Sequence, residues 1–428
     1  MPAIDKLQKI IFFGIVFFVS SQVGLHFWPE FAKVGGIRID YLSPTLYLLD
    51  ILIIALFLVS LPEIRRFVRH IRKAKLPKLL LSLFILSLFW NLSYSKSLGT
   101  HVFGIIKLLE FSFLGSYIAL EFQKRDIRTF TIVLSLSAVV SSVLAVWQFI
   151  LQSSVGGLWY FFGERTFNIS TIGISTVNLD QQILRPYAAF PHPNVLAFFF
   201  LATTVFTVLR LPYEKNSLVK FLFVASILLS TVGLFLTFSR ITILIAICLF
   251  IYAIYTNGKR NIVLAVLGFL GLLGLVNIFF SLNIFRPEFI LRGIDFRQEL
   301  LAQSLQIFLN NPYFGIGLNN FFIHQSVLIR DVSPILFQPP HNIFVIAPLS
   351  LGIFGWWIFP ALFILAILSL FTKLRTTNNE LNDFYRSVLF VLLGTIIVGM
   401  FDHFFLTLEQ GQIIFSLILG LSFVRFKM

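Results

Sequence analysis

The chain has 428 residues, of which 57% are hydrophobic and 12% charged, and a mean hydropathy of +0.91; soluble globular chains carry about 25% charged residues, so a water-solvated globule is excluded. The net charge of +14 sits in short connecting segments, which marks membrane topology rather than nucleic-acid binding. The single cysteine, Cys248, lies in an apolar run, which excludes a disulfide framework or a cysteine metal site and makes it a small buried hydrophobe.

Crossing a hydrocarbon core about 30 Å thick takes about 20 apolar residues at about 1.5 Å each. Runs of that length recur between residues 10 and 424. In lipid each must be helical, because unpaired backbone groups cost several kcal/mol there. The pattern predicts helices near 10–28, 45–61, 79–94, 103–120, 129–150, 193–210, 218–237, 241–256, 262–281, 343–371, 386–402 and 411–425. The fold class is therefore all-α, a polytopic integral membrane protein of about 12 transmembrane helices. The charged start of segment 1–28 precedes an apolar stretch with no small-residue cleavage site, so it reads as a retained first helix. With a cytoplasmic N-terminus, 22 of the 33 Lys and Arg fall inside and 10 outside, with Lys107 within a helix, as the positive-inside rule requires. Both termini are then cytoplasmic, and the run RRFVRHIRKAK at 65–75 is a topology determinant.

Two outer segments, 151–191 and 282–340, exceed what a helix connection needs. The chain thus divides into 1–192, with helices 1–5 and the first outer loop, and 193–428, with helices 6–12 and outer loop 282–340. The second loop contains DFRQELLAQSLQIFLNNP. There Leu301, Leu305, Phe308 and Leu309 share one face of an amphipathic helix, while Gln298, Glu299, Gln303 and Gln306 fall largely on another. Such a helix could rest on the outer membrane surface or cap the bundle.

Charged groups near lipid are costly, so those on the outer side need a reason. In PYAAFPHPNVLAFFF, Pro193 suits a first helical turn, with His192 just before it and Arg185 seven residues earlier. A helix-entry turn with an interfacial arginine explains this as well as a binding site does. LTFSRITIL sets Ser239 and Arg240 in a tight outer hairpin, where Arg240 either snorkels or binds an anion. Arg297 heads the amphipathic helix, where a cation opposes the dipole, which weakly favours an anionic partner, although an ordinary solvated arginine fits as well. His341 and Asn342 stand where the long loop re-enters the membrane; the histidine is either a cap or a general base. Asp402 and His403, with Glu409 beyond, read as a structural hydrogen-bonded pair before a catalytic one. Asp295, Glu299 and Asp331 give no metal-ligand spacing, and no phosphate-cradling loop points to ATP.

FPHPNVLA (190–197), LTFSR (236–240), FRQELLAQSLQIFLNNPYFGIGLNNF (296–321), PHNIFVIAPLSLGIFG (340–355) and FDHFFLTLEQGQ (401–412) resemble, in order and spacing over 185–421, the O-antigen ligase and O-antigen polymerase superfamily of bacterial membrane glycosyltransferases. The resemblance implies a GT-C-like helical fold in the bacterial cytoplasmic membrane. The donor would be a glycan on undecaprenyl pyrophosphate, used on the outer face with no nucleotide, metal or other cofactor. The acceptor is a lipid A–core sugar for lipopolysaccharide ligases and another lipid-linked repeat for polymerases. By match of motif, the pyrophosphate-binding arginines fall on Arg240 and Arg297, with Arg185 a third, and the essential histidine on His341. His192, Asn194 and Asn342 support them. A glycine often found after the Ser-Arg pair is Ile241 here, which puts the placement of Arg240 in question.

The rival class is a transporter or flippase of lipid-linked sugars, which also has about twelve helices. Against it, the charges gather on one side and no internal repeat or pair of broken helices stands out. A membrane scaffold would not need re-entering polar motifs. The 53 phenylalanines read as lipid-facing and core packing, with those in WYFFGERTF (159–167) and NNFFIH (319–324) available to glycan or acyl chain.

Overall fold

The computed structural model describes residues 2–63, 78–179, 181–257, 287–328, 337–377 and 379–426. The crossing expected at 262–281, the basic run 65–75, Asp331 and the side chain of Asp295 lie outside the described residues. The protein is mostly helical, and among the described residues its strands form three two-stranded ladders. Among the described residues, six helices are long and apolar enough to cross a membrane: Leu98–Glu121, Asp126–Leu151, Pro193–Tyr213, Ser217–Leu236, Ile358–Thr376 and Asn379–Gly399. Lys78–Tyr94, Arg240–Ile251 and Ile343–Gly355 are shorter and also apolar. The twelve expected crossings thus resolve, among the described residues, into six of full length and several shorter helices.

Two expected crossings take a different form. The first helix, α1 (Pro2–Phe18), stops ten residues early, because Gly24, Pro29, the Gly35–Gly36 pair and Pro44 punctuate the segment 19–47. Strand β1 (Gly24–His26) pairs antiparallel with β4 (Thr45–Tyr47), and β2 (Lys33–Val34) with β3 (Ile37–Arg38). Gly35 and Gly36 both have positive φ, 57° and 80°, as a two-residue hairpin turn demands. The second departure is the stretch 343–371, which is two helices rather than one. Gly352, at φ 66° and ψ −178°, interrupts it in a backbone region open essentially to glycine alone.

The chain forms two compact units. One comprises Met1–Ile15, Gly24–Lys124 and Ile294–Met428. It holds α2 (Leu48–Ser60), α3 (Lys78–Tyr94) and α4 (Leu98–Glu121), of which α4 is N-capped by the Ser97 hydroxyl. The same unit carries most of α10 (Pro287–Asn310), with α11 (Phe321–Leu328), α12 (Ile343–Gly355), α13 (Ile358–Thr376), α14 (Asn379–Gly399), α15 (Phe404–Thr407) and α16 (Glu409–Phe423). The strand segment packs Ala32 and Leu42 against Ile307, Ile316, Phe322 and Leu349, tying the hairpins to α10, α11 and α12. On α10, Leu300, Ser304 and Ile307 are buried while Leu301, Leu305 and Leu309 form an exposed stripe. Phe308 joins the apolar cluster instead of that stripe.

The other unit is Val16–Val23 with Arg125–Gly293. In it α5 (Asp126–Leu151), α7 (Pro193–Arg210), α8 (Ser217–Leu236) and α9 (Arg240–Asn257) pack together. Val195 to Phe200 of α7 are all buried, so this helix is the unit's centre. Between α5 and α7 the chain makes the short α6 (Leu158–Phe161) and the hairpin of β5 (Thr176–Leu179) with β6 (Gln181–Leu184). Cys248, expected to be buried, is exposed, because α9 turns that face away from its neighbours.

Candidate functional site

In the first unit the site is built around the broken helix. A break inside an apolar helix frees backbone groups that must find partners. The motif 311–317 supplies them. Ile353 N–H donates to the Pro312 carbonyl (2.7 Å) and Phe354 N–H to that of Tyr313 (3.1 Å), while Ile316 and Gly317 N–H donate to the carbonyls of Leu349 (2.9 Å) and Ser350 (3.0 Å). The Tyr313 carbonyl lies where a side chain on Gly352 would begin.

Polar groups on α3 and α4 hold this segment from the other side. Asn91 Nδ2 donates to the Phe314 carbonyl (2.7 Å), and His101 Nδ1 accepts from Leu318 N–H (2.9 Å) while its Nε2–H donates to the Leu88 carbonyl (3.0 Å). Asn320 pairs with both backbone groups of Ser97. This frame was not foreseen from sequence. Asparagine and histidine inside apolar helices were the available signal.

His341 stands at the entry to α12, with Asn342 capping that helix by accepting from Phe344 N–H (2.8 Å). The imidazole Nε2 is 3.2 Å from Gln338 Oε1, and Nδ1 is 4.0 Å from Asp402 Oδ1. Its ring centroid is 5.0 Å from that of His403. Asp402 and His403 are joined by a hydrogen bond, as expected: Asp402 Oδ1 accepts from the His403 backbone N–H (2.7 Å), and the His403 Nδ1 contacts Thr407 Oγ1 (2.6 Å). Tyr41, from the strand segment, meets the His403 ring edge-on at 5.7 Å and stacks on Phe322 at 5.3 Å. Burial pushes the His341 imidazole below its ordinary value; the Asp402 carboxylate opposes this and the Arg297 guanidinium adds to it. Arg297 itself is exposed. Ligating atoms of His341, Asp402 and His403 lie within 4.8 Å of one another, so the trio can share a proton or hold a cation.

In the second unit Arg185 is a clamp. Its Nε donates to the Thr237 carbonyl (2.6 Å), Nη1 to Ser175 Oγ (2.8 Å) and Nη2 to Asn194 Oδ1 (2.5 Å). His192 caps α7 by accepting from Asn194 N–H at Nδ1 (3.1 Å). Beneath them Gln148, fully buried on α5, accepts from the N–H of Tyr187 and Ala188 and donates to the Ala188 carbonyl and to Glu164. Glu164 in turn takes the N–H groups of Val155 and Gly156. Arg240 is the first residue of α9 and is exposed. The preceding Phe238 has φ 53°, and this left-handed residue turns the chain so tightly that Arg240 starts the new helix. Ile241, where a glycine was expected, sits half-buried within α9 and leaves the turn intact.

Of the sequence-predicted residues, Arg185, His192 and Asn194 thus share one network with Thr237, three residues before Arg240. Arg297, His341 and Asn342 belong to the other unit.

Long apolar helices with buried polar nodes define a multi-pass α-helical membrane protein. Residues 225–360, which include Arg240, Arg297, His341 and the broken helix, match the family model described as O-antigen ligase. No curated protein matches the chain significantly.

Proposed function

We propose that this protein is a glycosyltransferase that moves a glycan from undecaprenyl pyrophosphate to an acceptor sugar hydroxyl on the extracytoplasmic face of the bacterial cytoplasmic membrane. The observation that carries the proposal is the setting of His341: half-buried, kept neutral by burial and by Arg297, and backed by the Asp402 carboxylate at 4.0 Å. A neutral imidazole at working pH is what a general base needs. Asp402 faces Nδ1 and would stabilise the imidazolium, leaving Nε2, now beside Gln338, to take the acceptor proton. The acceptor oxygen then attacks the anomeric carbon as the bond to the pyrophosphate oxygen breaks. Arg297 is exposed and would bind the departing pyrophosphate, for which a planar guanidinium fork is suited; in the other unit the exposed Arg240 is the lipid-anion-binding arginine that its motif implies. Arg185, His192 and Asn194 shape the approach to Arg240 through Thr237, and Asn342 fixes the helix entry that carries His341.

The test is transfer by purified protein in liposomes given an undecaprenyl-pyrophosphate oligosaccharide and a panel of acceptors. Glycan moved to a lipid A–core sugar identifies a ligase, and glycan moved to a second lipid-linked repeat a polymerase. Movement of labelled donor across the bilayer without transfer would overturn the proposal in favour of a flippase.

A further inference from the structure

Four ionisable side chains apart from that site meet where α2, α4 and α16 pack. The Lys107 ammonium contacts the Asp50 carboxylate, Glu409 Oε2 at 3.0 Å and Glu110 Oε2 at 3.3 Å, and none of the four side chains is more than 9% exposed. The ammonium occupies the space between the carboxylates that a metal ion would need. One positive charge therefore faces three carboxylates, a balance of two negative charges in a buried place if all are ionised. Such a charge is not tolerated there without neutralisation.

Three observations point to what neutralises it. Oxygens of the three carboxyl groups lie within 4.8 Å of one another. Asp50 is within hydrogen-bonding reach of both Glu110 and Glu409, and two carboxyl groups can bond only with a proton between them. Glu110 Oε1 and Glu409 Oε1 are buried with no hydrogen-bond partner, and the side chain of Glu409 is 3% exposed. Among the described residues, the other neighbours bring no second cation. Tyr47 presents its ring to the ammonium at 5.8 Å and donates its backbone N–H to Asp50 (2.8 Å), while Phe103 and Phe111 present theirs at 5.9 and 5.6 Å.

We infer that Glu110 and Glu409 each hold a proton at neutral pH beside the Asp50–Lys107 ion pair, forming a proton-held latch that joins α2, α4 and α16. The inference goes beyond the transferase reading and stands without it. As pH rises and the protons leave, two negative charges accumulate between the helices and the latch loosens; on the acid side it stays closed.

Infrared spectroscopy of the full-length protein in lipid nanodiscs tests this directly. At neutral pH the latch requires a protonated-carboxyl stretching band that resists deuterium exchange, shifts on ¹³C-glutamate labelling, and shrinks in Glu409→Gln and in Glu110→Gln. The melting temperature of the unaltered protein should fall on the alkaline side, and that fall should vanish in the Glu110→Gln/Glu409→Gln double variant, whose amides imitate protonated acids. The label shift needs no variant, so poor folding of a variant leaves the test intact. A spectrum without a protected carboxyl band at neutral pH, or a band unmoved by the glutamate label, would overturn the inference.

Discussion

The Nδ1 of His341 lies 4.0 Å from Oδ1 of Asp402, although 61 residues and three helices separate them in sequence. At that distance the pair is an electrostatic contact rather than a hydrogen bond. The carboxylate nevertheless sets how readily the imidazole holds a proton.

That relationship fixes a pH dependence. The base works when neutral, and burial with Arg297 holds His341 below the usual value of about 6.5. Transfer should therefore be flat around neutral pH and fall only at pH below that value, where the imidazole takes a proton. Asp402 opposes the shift, so Asp402→Asn should move the acid limb to still lower pH while slowing transfer. The kcat/KM profiles of the two proteins, measured side by side, check both the sign and the partner.

The helix break makes a separate demand. Gly352→Ala would place a methyl group into the Tyr313 carbonyl and force a backbone shape that side chains avoid. The backbone strain alone costs about 1–3 kcal/mol. Thermal unfolding in detergent should show a clear loss of stability, with the segment 311–317 becoming open to proteolysis.

Arg185 and Arg240 should separate by kind of damage. Arg185 is bonded to three acceptors from different segments, so Arg185→Ala should lower the melting temperature. Arg240 is exposed at a helix start. Arg240→Ala should cost less in melting temperature than Arg185→Ala and raise KM for the lipid donor at least tenfold, about 1.4 kcal/mol.

Gln148 offers a purely structural counterpart. Its side chain satisfies the backbone of Tyr187 and Ala188, and Gln148→Leu would strand those buried N–H groups. Each costs about 1–3 kcal/mol when unpaired. Gln148→Leu should lower the melting temperature in detergent, and Gln148→Glu should not restore it, because its carboxylate would face Glu164 and the Ala188 carbonyl, both of which now accept from the amide.

Hydropathy made the long helices legible because a helix in lipid has to be apolar along its whole length, and 193–210 came out with the bounds of α7. The break at Gly352 was not legible. Its neighbours Leu349, Leu351 and Ile353 are as apolar as any crossing, and the partner that makes the break tolerable lies about 40 residues earlier. The strand segment 24–47 was lost for a similar reason: its leucines and phenylalanines extend the hydrophobic run of α1, while the turns that interrupt it are set by glycine and proline. In the site, His341 and the arginines stood out as polar residues at helix entries. Tyr41, Gln338 and His101 did not, since only the fold brings them to those motifs.

The most direct single measurement is transfer by His341→Ala at saturating lipid donor, beside the unaltered protein and with melting temperature and donor binding recorded for both. The base assignment predicts matching stability and donor binding, with transfer reduced about 10²–10⁴-fold. Transfer at the unaltered rate would contradict it.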